Sequence, residues 1–319
     1  MEPSKETKPE FNPYIVQVRQ PWFKRNGFPD WLVAFMWIFV AFLIFQVVGG
    51  VVAIVGIVLT QGLDGFDMEA LGENMGLLIA GNSAGQVVGL LLATLLVARL
   101  SFSKSKYRDA MRLKMPANAG FTFLVATLLV VAVQPFIWFL GWANQLVPLP
   151  DFIVQMEDAQ VQMIEGLLTG SFALWFLVLN IGLVPAVCEE VMFRSYLHRL
   201  FENAYGILGA LLVTGLVFGL FHLRLSQLIP LTFIGIMLGW MTVKSGSVYP
   251  AMLMHFIHNS GTVTAVHSNP ELLEVAEASM LPPLWLVASS LILTVYLVYL
   301  YGKRSEFSIF QKEQPYVRQ

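Results

Sequence analysis

Leu183-Val184-Pro185-Ala186-Val187-Cys188-Glu189-Glu190-Val191-Met192-Phe193-Arg194 sets two adjacent carboxylates and a guanidinium in a run otherwise fit for lipid or a packed core. One ionisable side chain at the bilayer centre costs about 2.5 to 3.5 kcal/mol on the insertion scale, so these groups need partners or a wet cavity. On a helix, Glu190 and Arg194 are i,i+4 and can pair along one face, whereas Glu189 points about 100° away. Glu190 is the expected structural partner of Arg194, and Glu189 is left to face something else.

The rest of the chain agrees that the solvent is a bilayer. Of 319 residues, 56% are hydrophobic, 13% aromatic and only 13% charged, and the mean hydropathy is +0.67. Charge at about half the globular norm leaves too little polar surface to coat a soluble fold. With 19 Lys and Arg against 21 Asp and Glu, and Cys188 the lone cysteine, disorder, nucleic-acid binding through a basic face and a disulfide scaffold are excluded. The class is an all-α polytopic membrane helix bundle.

A hydrocarbon core about 30 Å thick takes about 20 apolar helical residues. Eight such runs are expected: Trp31 to Thr60, Asn74 to Val97, Gly120 to Val147, Ser171 to Leu200, Gly206 to Leu223, Leu228 to Val243, Val248 to Val266 and Pro283 to Tyr301. The first is too long for a signal-peptide core, so it is expected to remain as an anchor. Every Lys and Arg except Arg224 falls on one side of this arrangement, and the opposite loops carry Asp64, Asp67, Glu69, Glu73, Asp151, Glu157, Asp158, Glu165, Glu271, Glu274 and Glu277. Basic loops stay inside, so both termini are expected in the cytoplasm, with residues 1–30 an N-terminal segment, 31–301 the membrane domain and 302–319 a tail. A plasma (inner) membrane suits that pattern; the endoplasmic reticulum is the alternative. Trp22, Trp31, Trp285 and Tyr301 are expected in the headgroup belt. Asn82, Gln86, Gln134, Pro135, Asn180 and Pro185 read as interhelical glue and kinks, and no internal repeat appears.

Further ionisable groups lie at membrane depth. Phe218 stands one turn below His222; His255 and Asn259 are i,i+4 on one face, with His258 adjacent. If helices 4 and 5 turn near Asn203, Glu189 rises roughly 21 Å above that turn and His222 roughly 28 Å; Asn259 rises roughly 20 Å above the Ser245-Gly246 turn. Three helices can therefore converge on one pocket. A carboxylate in an apolar pocket can take a proton from water and return it to a leaving group, which suits Glu189. His222 can orient the water, while His255 and the Asn259 amide can donate to the oxyanion of a tetrahedral intermediate. Together these roles describe peptide-bond hydrolysis without a covalent intermediate. A zinc ion, held by Glu189, His222 and His255 with an open position for water, is the alternative. There is no His-Glu-x-x-His, and Asn is a poor zinc ligand, so the metal-independent reading is preferred.

At these residues the sequence resembles the CAAX protease and bacteriocin-processing (CPBP, also ABI) family of intramembrane proteases. The family's Glu-Glu-x-x-x-Arg reads here as Glu189, Glu190 and Arg194, its Phe-x-x-x-His as Phe218 and His222, and its His-x-x-x-Asn as His255 and Asn259. Three weak motifs, in order on separate helices, make a strong signal over the core at 171–266. The resemblance implies an eight-span helical fold, a cavity inside the membrane open toward the cytoplasm, water activation by Glu189 with His222, and an oxyanion held by His255 and Asn259. It implies a peptide or membrane-protein substrate met within the lipid bilayer, and leaves the prenylation of that substrate and the metal requirement open.

The remaining candidates have plainer readings. His258 is a packing histidine with at most a supporting role; His198 and His267 are solvated or interfacial at helix ends. Cys188 is a buried, inert thiol. Arg224 snorkels, or lies as a counter-charge near His222. Two other classes compete with a protease: a transporter or proton relay, since buried Glu and His also mark ion paths, and a non-catalytic immunity or scaffold protein of the same fold.

Overall fold

The computed structural model describes residues 21–62, 74–272 and 280–304. Asp64, Asp67, Glu69, Glu73, Glu274, Glu277, most of the N-terminal segment and the tail beyond Arg304 lie outside the described residues. Every regular element among the described residues is helical. We label the main ones α1 (Asp30–Gln61), α2 (Met75–Ser101), α3 (Ala119–Ala132), α4 (Gln134–Gln145), α5 (Asp151–Thr169), α6 (Leu174–Phe221), α7 (Leu228–Ser245), α8 (Tyr249–Ser268) and α9 (Leu284–Arg304). Apolar side chains face outward along them, with Leu59 81%, Leu96 72% and Ile292 71% exposed. That is the pattern of helices solvated by lipid, and the chain is an all-α membrane bundle.

By length and apolarity alone, five helices among the described residues can cross a membrane, and α3 with α4 makes a sixth, bent by 43°. The expected eight runs all appear as helical segments, but two fail that simple measure for physical reasons. The 48 residues of α6 span two arms, because the helix breaks at Gly206 with φ 74° and ψ 175°. Only glycine adopts that backbone region without strain. Helix α8 carries His255, His258, Asn259 and His267, which dilute its hydropathy.

The arms of α6 run antiparallel. His198 Nδ1 lies 3.0 Å from Thr214 Oγ1, and the rings of Phe193 and Phe218 meet edge to face at 5.3 Å. The turn therefore sits at Gly206, three residues beyond the expected Asn203. Counted from Gly206, Glu189 and His222 stand at about 25 and 24 Å, so the expected mismatch in level disappears.

Broken helices need their freed backbone groups satisfied by neighbours. At the α3–α4 break, Gln134 Nε2 donates to the carbonyl of Val130 at 2.7 Å, and Ser290 Oγ of α9 donates to that of Ala132 at 2.6 Å. Asn180 accepts a hydrogen bond from Ser83 Oγ of α2 at 2.7 Å. Gln86, by contrast, bonds within its own helix, to Asn82 at 2.8 Å. Where α1 crosses α2, a Cβ on Gly85 would lie 2.3 Å from the Phe45 carbonyl oxygen, so backbone contact replaces side-chain packing there.

Three expectations need correction. The acidic stretch after α4 is the amphipathic helix α5 rather than a loop. Its Glu157 is buried and accepts from the amide of Leu225 at 2.6 Å and of Ser226 at 3.2 Å, while Asn144 Oδ1 accepts from the amide of Ile229 at 2.6 Å. A carboxylate suits the amide-rich start of α7. His198 is fully buried rather than interfacial, and lies 3.2 Å from Glu202, which also pairs with Arg112 at 2.7 Å and Arg199 at 2.8 Å. Tyr301 is 4% exposed and bonded to Thr122, packed within the bundle rather than facing outward, whereas Trp22, Trp31 and Trp285 are exposed.

Replacing Gly206 with Ala puts an L side chain at φ 74° and ψ 175°, a backbone region open without strain only to glycine, and is expected to cost about 1 to 3 kcal/mol. Gly50→Ala, on an open helix face, should cost nothing. The single buried Cys188 makes the measurement simple: a thiol-reactive dye reports melting in detergent, and equal melting temperatures for the two variants would contradict the turn.

Candidate active site

Pro185 shapes the helix that carries the two glutamates. It has no N–H to give the carbonyl of Ile181 four residues back, and its ring crowds that carbonyl. The chain widens into a π-helical turn over Val178–Leu183, and again over Val191–Leu197, with an ordinary turn at Val184–Glu190 between them. Such widened turns are frequent at functional sites. Asn259 Nδ2 donates to the Ile181 carbonyl at 3.0 Å, which ties α8 to the Pro185 turn. A Cβ on neighbouring Gly182 would meet Ser260 Oγ at 2.3 Å, so the two helices touch backbone to side chain here. One Asn259 amide hydrogen is used in this bond and a second remains.

Glu190 is fully buried and sits between two cationic or potentially cationic groups. Arg194 Nε lies 3.2 Å from its Oε2, and His255 Nδ1 lies 2.9 Å from its Oε1. Arg194 has no exposure either; its Nη2 donates to the carbonyl of Gly235 on α7 at 3.1 Å, and its guanidinium lies 4.2 Å above the Phe218 ring. That reach is possible because Gly235 packs directly on Gly215, where a Cβ would come within 2.9 Å of the Gly215 Cα. Phe218 then contacts both imidazoles, with ring centroids 4.8 Å from His222 and 5.8 Å from His255. Glu190, Arg194, Phe218, His222 and His255 thus form one continuous set of contacts across three helical segments.

The ring nitrogens follow from their partners. His222 Nδ1 is 2.8 Å from the Phe218 carbonyl, which only accepts, so Nδ1 carries the proton and Nε2 keeps its lone pair. His255 donates from Nδ1 to the Glu190 carboxylate by the same logic, leaving Nε2 for another group. Glu189, 8% exposed, has a buried Oε2 without a hydrogen-bond partner. By the register of the α6 arms it stands level with His222.

The remaining residues take supporting places. Gln134 Nε2 lies 3.1 Å from His258 Nδ1, so His258 is a partnered histidine at the α3–α4 break. With His255 it lines a small apolar cavity of about 20 Å³, room for about one water. Cys188 is buried beside Glu189, His267 bonds the Leu168 carbonyl at 3.2 Å, and Arg224 is half-buried. Among the described residues no three His, Cys, Asp or Glu side chains gather as metal ligands. The trio Glu189, His222 and His255 does not gather as ligands for a zinc ion in this arrangement. Asn144 and Glu157, which brace the turn after His222, were not expected from the sequence, because only the fold brings α4 and α5 to that turn.

Residues 171–261 match the family model described as Type II CAAX prenyl endopeptidase Rce1-like. The matched stretch contains all three motifs from Glu189 to Asn259. It supports, in general terms, a CAAX-type intramembrane endopeptidase and is consistent with the CPBP family. No curated protein and no solved structure shows significant similarity to the chain.

Removing one member of a buried ion pair leaves its partner uncompensated, at about 3 to 5 kcal/mol. Arg194→Met and Glu190→Gln should each lower the melting temperature in detergent, and the double variant should lose less than the two single losses together. Strictly additive losses would mean that the two side chains are not coupled.

Proposed function

We propose that the chain is an intramembrane endopeptidase that hydrolyses a peptide bond with water activated by Glu189 and His222. The observation that carries this reading is the buried, unpartnered Glu189 carboxylate oxygen, level with a His222 ring whose Nε2 keeps a lone pair. A buried carboxylate without a partner is costly, and a substrate-bound water supplies one.

In this mechanism the water gives one hydrogen bond to His222 Nε2 and one proton to Glu189 as its oxygen attacks the scissile carbonyl carbon. The carbonyl becomes a tetrahedral oxyanion. His255, protonated on both nitrogens, donates to it from Nε2, and the Glu190 carboxylate behind Nδ1 supplies the counter-charge. The free Asn259 amide hydrogen gives the second donation. Glu189 then passes its proton to the departing amine nitrogen as the C–N bond breaks, and both ends leave with no covalent enzyme intermediate. Arg194 and Phe218 hold Glu190 and the imidazoles in place without touching the substrate. The match to the CAAX endopeptidase model favours a peptide or membrane-protein substrate presented in the bilayer. The basic end of the bundle is assigned to the cytoplasm, with a plasma membrane location.

Glu189→Gln keeps the shape and removes the base, so cleavage should fall by about 10² to 10⁴-fold, while Asn259→Leu should cost about 10² to 10³-fold. Membrane peptides from cells carrying each variant, compared with those from cells carrying the parent chain, give both the rate and the substrate. Unchanged cleavage by Glu189→Gln in a folded protein would sink the mechanism. Proton flux into liposomes that depends on Glu189, with no peptide cut, would replace it with a proton relay.

A further inference from the structure

A second cavity lies well away from the glutamates, at the end of the bundle where the basic residues gather. It measures about 370 Å³, within the range of pockets that hold small ligands, about 300 to 1,000 Å³. Three helix ends meet there: the start of α3, the end of α7 and the end of α9. Lys244 and Arg304 stand on its wall with Asn118, Phe121, Thr122 and Tyr301, and among the described residues that line it none is acidic. The Arg304 guanidinium rests 4.8 Å over the Phe121 ring, which orients it while leaving its N–H groups available. Tyr301 and Thr122 share a hydroxyl contact of 3.2 Å. Asn118 precedes α3 without capping it through its side chain, so first-turn amides without helical partners and the positive end of the helix dipole add to the two cations.

The surroundings are those of a lipid. Below Phe121 the face of α3 presents Leu124 (56% exposed), Leu128 (47%) and Val131 (59%). A charged pocket at a helix end above such a stripe matches a headgroup with its acyl chains. We propose that this cavity binds the phosphate of an anionic phospholipid, with Lys244, Arg304 and the α3 amides holding the headgroup.

The test uses the full chain in detergent and follows Cys188 exposure on heating. Short-chain phosphatidylglycerol is titrated against phosphatidylcholine of equal chain length, glycerol 3-phosphate and inorganic phosphate. Phosphatidylglycerol should raise the melting temperature saturably, and the others should not. Lys244→Gln/Arg304→Gln should weaken the apparent affinity by about fivefold for each charge removed, the equivalent of roughly 1 kcal/mol per basic residue at a membrane surface. If the double variant fails to fold, Arg304→Gln alone, at an exposed helix end, should still lose about fivefold. An equal response to phosphatidylcholine, or an undiminished response in the folded variants, overturns the site. An equal response to inorganic phosphate overturns the lipid assignment in favour of a soluble phosphate.

Discussion

A carboxylate with no exposure, held between a guanidinium and an imidazole, is the constraint on which this bundle is built. Glu190 and Arg194 are affordable inside a membrane only together, and their pairing draws in His255 from α8, the Gly235 carbonyl from α7 and the Phe218 face from the second arm of α6. Buried pairs of this kind are weak evidence for net stability, since desolvation consumes most of the attraction. Their effect is geometric. The buried pair holds the two arms of α6 and helices α7 and α8 to an arrangement in which Glu190 and Arg194 meet each other and their shared neighbours.

That arrangement leaves Glu189 in a different position from its neighbour. Glu190 has two partners and full burial, whereas Glu189, one residue earlier and about 100° round the helix, keeps an unpartnered oxygen at the level of His222. The division of labour between adjacent glutamates, one structural and one reactive in our proposal, comes from helical geometry. Pro185 extends the same logic to Asn259: the carbonyl that Pro185 cannot serve is served by the Asn259 amide, so an irregularity in α6 fixes a donor on α8.

The far ends of the helices are organised by similar means. Glu157 and Asn144 close the turn after His222, and Glu202 collects Arg112, Arg199 and the buried His198. The long-range contact in each could not be read from spacing. Glu157 lies 68 residues from Leu225, and Arg112 lies 90 from Glu202, and nothing in the intervening chain reports that those segments meet. Glu190 with Arg194 was legible, because four residues is a single helical turn. Gly206 was a near miss: polar residues around Asn203 advertise a turn, but only the backbone angles single out the residue that makes it.

By itself the sequence determined the solvent, the helical class, the apolar segments and the candidate residues, because hydropathy and i,i+4 spacing are local properties of a chain. It also determined that the charged residues within those segments needed partners. The tertiary structure decided which partners they found, since contacts between segments depend on where helices break and how closely they approach. Gly206, Pro185 and the Gly215–Gly235 crossing set those breaks and approaches through backbone angles, a missing donor and the absence of a Cβ. The contacts they permit join groups a few ångströms apart in space and up to tens of residues apart in sequence, beyond the reach of any local pattern.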